Sequence, residues 1–265
     1  DYIGVDMDPN ALKVAQHLTQ ARIPPEERGS FRFLKMDLRK ESNFGEVKNF
    51  HPHLLIMSNS LGEMLHQGTS LTSLAKKIRS LLLEENLTVV FIEPGTRKAA
   101  QKLHLLRDAL IEESQMVPYS PCLHHLPCPA LKGNNWCYEE WPWQCPDYLR
   151  FLEPLDLQIR CLKFSYVVFT SSGYRLAETF PPHEGLVIKC TSHLLREKKK
   201  SRLWGCVKGE LQDIEKLARD YTENDPWLTI RKGTYFSAEG LIPLGKKYRL
   251  PKDARASILY RPPSG

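Results

Sequence analysis

The feature that most constrains the fold of this chain is the cysteine loop, a stretch from Pro121 to Pro146 that reads PCLHHLPCPALKGNNWCYEEWPWQCP. Five prolines interrupt it, and a proline removes a backbone donor and breaks a helix or an interior strand. The stretch therefore predicts a long loop rather than a helix or a central strand. It holds four of the seven cysteines, which are Cys122, Cys128, Cys137 and Cys145.

A loop of this length is uncommon in a compact domain unless something holds it in place. Thiolates gathered on a metal would do so, and we predict a metal site here. Two other interpretations stay open. The cysteines are free core thiols, which are common, or they form disulfides, which suit small secreted chains better than one of 265 residues.

The first 113 residues alternate strand patterns with helix patterns. Apolar runs predict strands at 2–6, 31–37, 54–59 and 87–93, and apolar residues at helical spacing predict helices from Pro9 and at 61–83 and 99–113. Strands that alternate with helices indicate crossover connections and a mostly parallel sheet. We therefore predict an α/β fold for this part of the chain.

Polar residues stand at the carboxyl ends of the predicted strands, at Asp6, Asp37, Ser58, Asn59 and Glu93. Ligands of parallel sheets bind beyond these ends, so we predict one pocket rather than five separate caps or turn residues. The glycine-rich turn that precedes such a pocket's first acid by about 20 residues is not in this chain, and we expect it upstream with the first strand.

Beyond the cysteine loop, β-forming runs predict a strand or hairpin at 157–170 and strands at 185–192 and 201–209, and 211–221 predicts an amphipathic helix. Residues 227–260 alternate apolar and basic residues between turns, as small antiparallel sheets do. Pro181 and Pro182 mark the predicted boundary. We expect an α/β domain at 1–184, with 121–146 as an insertion, and a basic β-rich region at 185–265.

The positive charge of the chain is unevenly placed. The net charge is +6, and residues 186–265 carry 17 Lys and Arg against 9 Asp and Glu. Such asymmetry favours a polyanionic partner, with a solvated basic face as the alternative. The predicted RNA-binding residues are Lys198, Lys199, Lys200, Arg202, Lys246, Lys247 and Arg249, with Lys252 beside them.

Three aromatic residues sit among these charges: Trp204, Tyr235 and Tyr248. Each either stacks on unpaired bases or packs in the predicted sheet, and for Trp204 we favour packing. No run of 18 apolar residues indicates a membrane span.

Several motifs resemble one known family. The order strand–GVDMDP–helix, strand–MD, strand–SNSLGEM and strand–EPGT is similar to class I S-adenosylmethionine-dependent methyltransferases. The pieces SNSLGEML, VVFIEPGT, PCLHHLPCP, WCYEE and KFSYVVF resemble the mitochondrial and bacterial methyltransferase-like family of small-ribosomal-subunit assembly factors over residues 1–200. The resemblance implies a Rossmann-like methyltransferase sheet, incomplete at the amino terminus.

The resemblance also implies a 4Fe–4S cluster with three ligands in the cysteine loop and a fourth on a later strand. In this chain the implied ligands are Cys122, Cys128, Cys137 and Cys190. Cys145 is an alternative fourth ligand, and His124 and His125 are read as loop residues. Zinc is the alternative metal, since four thiolates can bind either a zinc ion or an iron–sulfur cluster.

For the cofactor, the resemblance implies that Asp6 holds the ribose hydroxyls and that Asp37 approaches the adenine amino group. Ser58 and Asn59 would lie where the methionine end meets an acceptor base. This chain has SNSL where methyltransferases that modify base nitrogens often have an Asp/Asn-Pro-Pro-Tyr signature. The resemblance therefore supports cofactor binding more than turnover.

We expect a small-subunit assembly factor that binds ribosomal RNA, holds an iron–sulfur cluster and has an S-adenosylmethionine pocket. The alternatives are an active RNA methyltransferase with a structural metal, and a metal-dependent binding module with a vestigial pocket. The expected partners are small-subunit RNA, ribosomal proteins and other assembly factors, with neither a membrane nor DNA. The expected location is the mitochondrial matrix, or the cytoplasm of a bacterium.

Overall fold

The structure is a computed structural model that describes residues 1–27, 31–66, 69–82, 86–114, 117–155 and 161–262. The chain divides into two compact units, residues 1–52 and 53–265. The boundary predicted at Pro181 and Pro182 stays a prediction. No helix within the described ranges combines the length and the apolar character needed to cross a membrane.

The first unit alternates strands and helices. Its elements are β1 (Tyr2–Asp6), α1 (Pro9–Arg22), β2 (Phe31–Lys35) and α2 (Glu41–Lys48), with a 3₁₀ turn at Pro25–Glu27. β1 and β2 pair in parallel. α1 begins where the sequence predicts, because Asp8 accepts the backbone N–H of Asn10 as a helix cap and Pro9 suits the first turn.

The second unit contains two sheets. The first sheet consists of β3 (Leu54–Ser58), β4 (Thr88–Pro94), β5 (Pro118–Ser120), β6 (Glu139–Pro142) and β7 (Cys161–Thr170). Its order is β3-β4-β7-β5, and β6 also pairs with β7. β3 and β4 are parallel, whereas β7 runs antiparallel to β4, β5 and β6. The fold is therefore a mixed α/β fold, less parallel than predicted.

Three helices accompany the first sheet: α3 (Leu61–His66), α4 (Leu71–Leu82) and α5 (Arg97–Ser114). Residues 61–82 thus contain two helices where the pattern predicts one. Leu74 and Ile78 of α4 and Leu103 of α5 are fully buried, as are Phe91 of β4 and Phe169 of β7. These apolar side chains form the core on this side of the unit.

The second sheet has eight strands. They are β8 (Leu186–Cys190), β9 (Leu195–Arg196), β10 (Lys200–Val207), β11 (Glu210–Leu217), β12 (Tyr235–Glu239), β13 (Ile242–Leu244), β14 (Lys247–Arg249) and β15 (Arg255–Tyr260). The order is β13-β14-β11-β10-β8-β12-β15, with β9 paired to β10. The predicted antiparallel strands after residue 227 are present, and they extend this larger sheet. Trp227 and Phe236 lie in its apolar core.

The helix predicted at 211–221 is wrong. Residues Glu210–Leu217 form β11, which pairs antiparallel with β10 along its whole length. Lys208 and Gly209 join the two strands with φ angles of 45° and 82°. Two successive positive φ values are typical of the tight turns that connect hairpin strands. The Lys-Gly pair between two strand-like runs was the local signal for this hairpin.

The cysteine loop contains no α-helix and no central strand, as predicted. It forms a 3₁₀ turn at Pro129–Lys132 and the four-residue strand β6, which pairs only with β7 among the described residues. β6 ends at Pro142, a residue that suits the end of an edge strand because it has no N–H to donate.

Candidate functional site

Asp6 is the last residue of β1, and Asp37 lies two residues beyond the end of β2. Asp6 Oδ1 accepts the backbone N–H of Asp8 at 2.8 Å. Arg39 donates from Nε and Nη2 to the two carboxylate oxygens of Asp37, at 2.6 and 2.7 Å. The Arg39 side chain holds the pKa of Asp37 down at about 2. Asp37 is therefore an ionised acceptor at neutral pH that already has an arginine partner.

Ser58, Asn59 and Glu93 meet at the carboxyl ends of β3 and β4 in the second unit. The backbone N–H of Asn59 donates to Ile92 at 2.8 Å, and Asn59 adopts a φ of 56°, which asparagine tolerates. The Glu93 carboxylate accepts the backbone N–H of Leu61 at 2.9 Å. Burial raises the pKa of Glu93. Glu93 thus supports the start of α3, a role that the strand-end pattern did not indicate.

The cysteine loop is anchored on α5 by side chains that the sequence analysis missed. Arg107 is fully buried and donates to the carbonyl oxygens of His124 and Leu126, each at 2.6 Å. The Asp108 carboxylate accepts the backbone N–H of Cys128 at 2.9 Å. The irregular backbone of the loop cannot satisfy all of its own hydrogen-bonding groups, and side chains of α5 supply the missing partners.

Further hydrogen bonds attach the loop to α5, β7 and β12. His104 Nε2 accepts the backbone N–H of Cys137 at 3.2 Å, and burial lowers the pKa of His104 to about 4, so its ring is neutral at pH 7. Ser165 donates to the Cys137 carbonyl at 3.0 Å. The Tyr235 hydroxyl donates to the Pro121 carbonyl at 2.8 Å. His104, Arg107 and Asp108 are three and four residues apart and so share one side of α5, a spacing that is equally typical of a solvent-facing surface.

The loop lies against one face of the second sheet. Cys206 is paired directly opposite Lys189 across β10 and β8, and Lys189 is paired opposite Tyr235 of β12. Side chains alternate between faces along a strand, so Cys190 points to the other face. There it joins the apolar core of the sheet with Ile188, and its thiol donates to the Ser192 carbonyl at 3.1 Å.

Three loop thiols and Cys206 lie close enough to influence one another. Burial, and then the charges of Cys122 and Cys137, raise the pKa of Cys206 to about 12. Burial, and then the charges of Cys122 and Cys137, also raise the pKa of Cys128. Burial also raises the pKa of Cys190, to about 12. The structure thus brings Cys206, rather than Cys190, to the loop side of the sheet.

Several polar groups contact these thiols. Lys189 is buried, donates from Nζ to Cys137 Sγ at 3.3 Å and forms an ion pair with Glu139. Cys206 Sγ lies 3.3 Å from His124 Nε2. All seven cysteines are free thiols. Across the described part of the chain, no three Cys, His, Asp or Glu side chains are spaced to hold a metal ion.

Four of the seven predicted RNA-binding cations are held by ion pairs on the same face of the second sheet, beyond the loop. Glu215 Oε2 accepts from Lys200 and Lys247 at 3.1 and 2.9 Å, and its Oε1 accepts from Arg249 at 2.6 Å. Burial opposes ionisation of Glu215, but these hydrogen bonds outweigh it and lower its pKa to about 2. Arg202 pairs with Glu197 and Asp213.

We call the surface formed by Lys200, Arg202, Trp204, Lys247 and Arg249 the basic face. The side chains of its four cations are each about one third exposed, at 30–37%. Trp204 lies on β10 and is 39% exposed, so part of its side chain packs on the sheet and part faces solvent.

The other predicted residues of this region are placed differently. Lys198, Lys199 and Lys246 are exposed, with no ion pair to any described residue. Tyr235 is buried against the cysteine loop, and Tyr248 packs on the apolar core of the sheet.

The fold and these sites define a mixed α/β protein with a cysteine-rich loop packed on a second, basic sheet. Residues 1–172 match the model of a family described as mitochondrial small ribosomal subunit Rsm22. Because the match covers more than half of the 265 residues, the chain belongs to this family. No curated protein gave a significant match. Membership indicates a function connected with the mitochondrial small ribosomal subunit and an association with that subunit.

Proposed function

We propose that this protein is an assembly factor that binds the RNA of the maturing small ribosomal subunit in the mitochondrial matrix. Membership of the Rsm22 family is the observation that carries the proposal. The excess positive charge of residues 186–265 supports RNA as a direct partner. Ribosomal proteins and other assembly factors would be its neighbours on the same particle.

Sedimentation of mitochondrial extracts, followed by ultraviolet cross-linking, tests this proposal. We expect the protein in the small-subunit and precursor fractions, cross-linked to small-subunit RNA. A protein that sediments free of both fractions and cross-links to no ribosomal RNA would contradict it.

We further propose that residues 1–184 form a Rossmann-like class I methyltransferase fold that binds S-adenosylmethionine. The parallel pairs β1–β2 and β3–β4, each followed by polar residues, support this proposal. Asp6 would hold the ribose hydroxyls, Asp37 would approach the adenine amino group, and Ser58 and Asn59 would lie at the methionine end. Glu93 would support Ser58 and Asn59 through its hydrogen bond to the start of α3.

Calorimetric titration with S-adenosylmethionine tests the pocket. Asp6→Asn should weaken binding roughly tenfold, because a charged hydrogen bond to the ribose is lost. Asp147→Asn is the matched control, since the Asp147 side chain is 88% exposed. A methyl-transfer assay on small-subunit RNA tests separately for turnover.

We also propose that the cysteine loop holds a 4Fe–4S cluster through Cys122, Cys128 and Cys137. Two buried cations, Arg107 and Lys189, lie beside these residues and would offset the negative charge of a thiolate-bound centre. A cluster distributes its ligands over several irons, so it suits thiols that are too widely spaced for a single ion. When bound, it would cross-link the parts of the loop that carry these three thiols, and a fourth ligand at Cys190 or Cys206 would extend the cross-link to the second sheet.

Anaerobic purification with measurement of iron, acid-labile sulfide and visible absorption tests the cluster. Serine replacement of any of the three loop ligands should abolish the absorption. Cys190→Ser and Cys206→Ser then decide the fourth ligand, while Cys145→Ser tests the local alternative and Cys161→Ser serves as the control. Zinc without sulfide in the wild-type protein would refute the cluster and support the zinc alternative.

A further inference from the structure

The cations of the basic face are arranged around a buried carboxylate, which a surface that only contacts solvent does not require. Four cations and one tryptophan lie on the same face of β10 and β14, around the carboxylate of Glu215. Glu215 is only 1% exposed, so Lys200, Lys247 and Arg249 are tied to a buried carboxylate rather than to a mobile side chain. Rigid cations lose little conformational freedom when they bind an anion.

These cations retain donors that the protein does not use. A lysine has three N–H donors and an arginine has five. Glu215 takes one hydrogen bond from Lys200, one from Lys247 and two from Arg249. The remaining N–H groups belong to side chains that are one third exposed, so they are available to an anion that arrives from solvent.

Charge around the basic face favours a polyanion. Seven cations lie on the face or in the turns beside it: Lys198, Lys199, Lys200, Arg202, Lys246, Lys247 and Arg249. The carboxylates that pair with them belong to Glu197, Asp213 and Glu215. The excess of four positive charges is spread over strands and turns, as the charges of a nucleic acid backbone are spread along its length.

Trp204 identifies the kind of nucleic acid. It lies between Arg202 and Cys206 on β10, at the point where the basic face meets the cysteine loop, and it is 39% exposed. A partly exposed indole beside fixed cations suits an unpaired base, which stacks on the ring while its phosphates meet the cations. Bases of a duplex are already stacked on each other and do not offer their faces.

We infer that the basic face binds single-stranded RNA, with one base stacked on Trp204 and the neighbouring phosphates on Lys200, Lys247 and Arg249. This inference rests on the proposed function and names the surface that carries it. Stacking and phosphate contacts are both tolerant of sequence, so the basic face recognises an unpaired segment rather than a particular base.

Fluorescence anisotropy with a labelled single-stranded oligoribonucleotide of mixed sequence tests the inference, with the same strand in a duplex as the comparison. Trp204→Leu should weaken single-strand binding roughly tenfold, because stacking on one aromatic ring is lost. Trp141→Leu is the matched control, since Trp141 is 48% exposed on β6. Single-strand binding should also quench tryptophan emission in the wild type and less in Trp204→Leu.

Salt dependence tests the phosphate contacts. Lys247→Gln should flatten the plot of log affinity against log salt by about 0.7, the value for one phosphate contact on a single strand. Lys76→Gln on the exposed surface of α4 should leave the slope unchanged. Equal unfolding midpoints for all four variants and the wild type exclude a folding defect.

The outcomes separate this inference from the proposed function. Equal affinities of Trp204→Leu and Trp141→Leu, or tighter binding of the duplex, would overturn the single-strand surface while RNA binding stands. A wild-type protein that binds neither the oligonucleotides nor small-subunit RNA would overturn the proposed function itself.

Discussion

Two lysines on the same face of the second sheet have opposite environments. Lys189 lies under the cysteine loop, where its side chain is 4% exposed and contacts Cys137 and Glu139. Lys247 lies on the basic face, beyond the loop, and is 37% exposed while paired with Glu215. The cysteine loop covers Lys189, whereas Lys247 lies beyond the loop and nearer the edge of the sheet.

The comparison explains how one sheet serves two roles. A buried cation must be balanced where it lies, because an unpaired buried charge is costly. A cation at one third exposure keeps contact with water and with any anion that approaches. The loop therefore divides the face into a part that stabilises the fold and a part available for binding.

The largest expected effect is at the buried lysine. Lys189→Met leaves the Glu139 carboxylate without its cation and should lower the free energy of unfolding by about 3 kcal/mol, because breaking a buried ion pair is strongly destabilising. Urea unfolding monitored by circular dichroism measures it. Lys199→Met, at an exposed position, is the control. A loss of less than about 1 kcal/mol for Lys189→Met would contradict the contrast between the two parts of the face.

The next effect is a pH dependence at Glu215. The pKa of Glu215 is lowered from 4.5 to about 2 in the folded protein. The ionised carboxylate therefore contributes fully to the free energy of unfolding above pH 4.5, and this contribution is lost as the pH falls from 4.5 towards 2. The loss approaches ~3 kcal/mol. Unfolding at pH 5 and pH 3 should show less acid destabilisation for Glu215→Gln than for the wild type.

Glu197→Gln, which removes a carboxylate that is 43% exposed, is the control for the Glu215 variant. It should retain the acid sensitivity of the wild-type protein. Identical pH dependence of Glu215→Gln and the wild type would show that the cations of the basic face are not organised by Glu215.

A smaller effect is expected where the loop is attached to the sheet. Tyr235→Phe removes the hydroxyl that donates to the Pro121 carbonyl and should cost about 1–2 kcal/mol, since a buried acceptor loses its donor. Thermal unfolding measures the cost, with Tyr174→Phe as the control because Tyr174 is 67% exposed. If both variants unfold alike, the loop does not depend on β12 for its position.

The smallest effect on stability belongs to a cation without a partner among the described residues. Lys199→Ala should change the free energy of unfolding by less than about 0.5 kcal/mol, as is usual for exposed positions. The same variant should flatten the salt dependence of single-stranded RNA binding by about 0.7. A clear loss of stability would place Lys199 with the structural cations.

Much of the secondary structure could be predicted from local patterns. The run LTVVFIE predicts a strand at 87–93, and β4 spans Thr88–Pro94. The strand β11 was misread because its buried positions include charged residues: Glu215 pairs with three cations on one face, and Lys216 pairs with Asp225 on the other. Buried charges that are paired in the folded protein do not produce an apolar period in the sequence.

The candidate site was predictable in composition but not in arrangement. The cysteine loop, its prolines and the basic charge of residues 186–265 are all visible in the sequence. The anchors Arg107 and Asp108 are charged residues of a kind that is usual on a solvent-facing helix surface, and only the burial of Arg107 and the hydrogen bonds of both show that they hold the loop. A polar residue on a helix does not reveal its partner until another segment packs on it.

The sequence by itself determined the alternation of strands and helices, the long loop and the location of the positive charge, because these depend on neighbouring residues. The tertiary structure alone decided that Cys206 and Lys189 face the loop while Cys190 faces the core, since strand register assigns each side chain to a face. It also decided which cations are exposed, because exposure depends on a segment far away in the chain. Contacts between distant segments are set by packing, and packing leaves no local pattern to read.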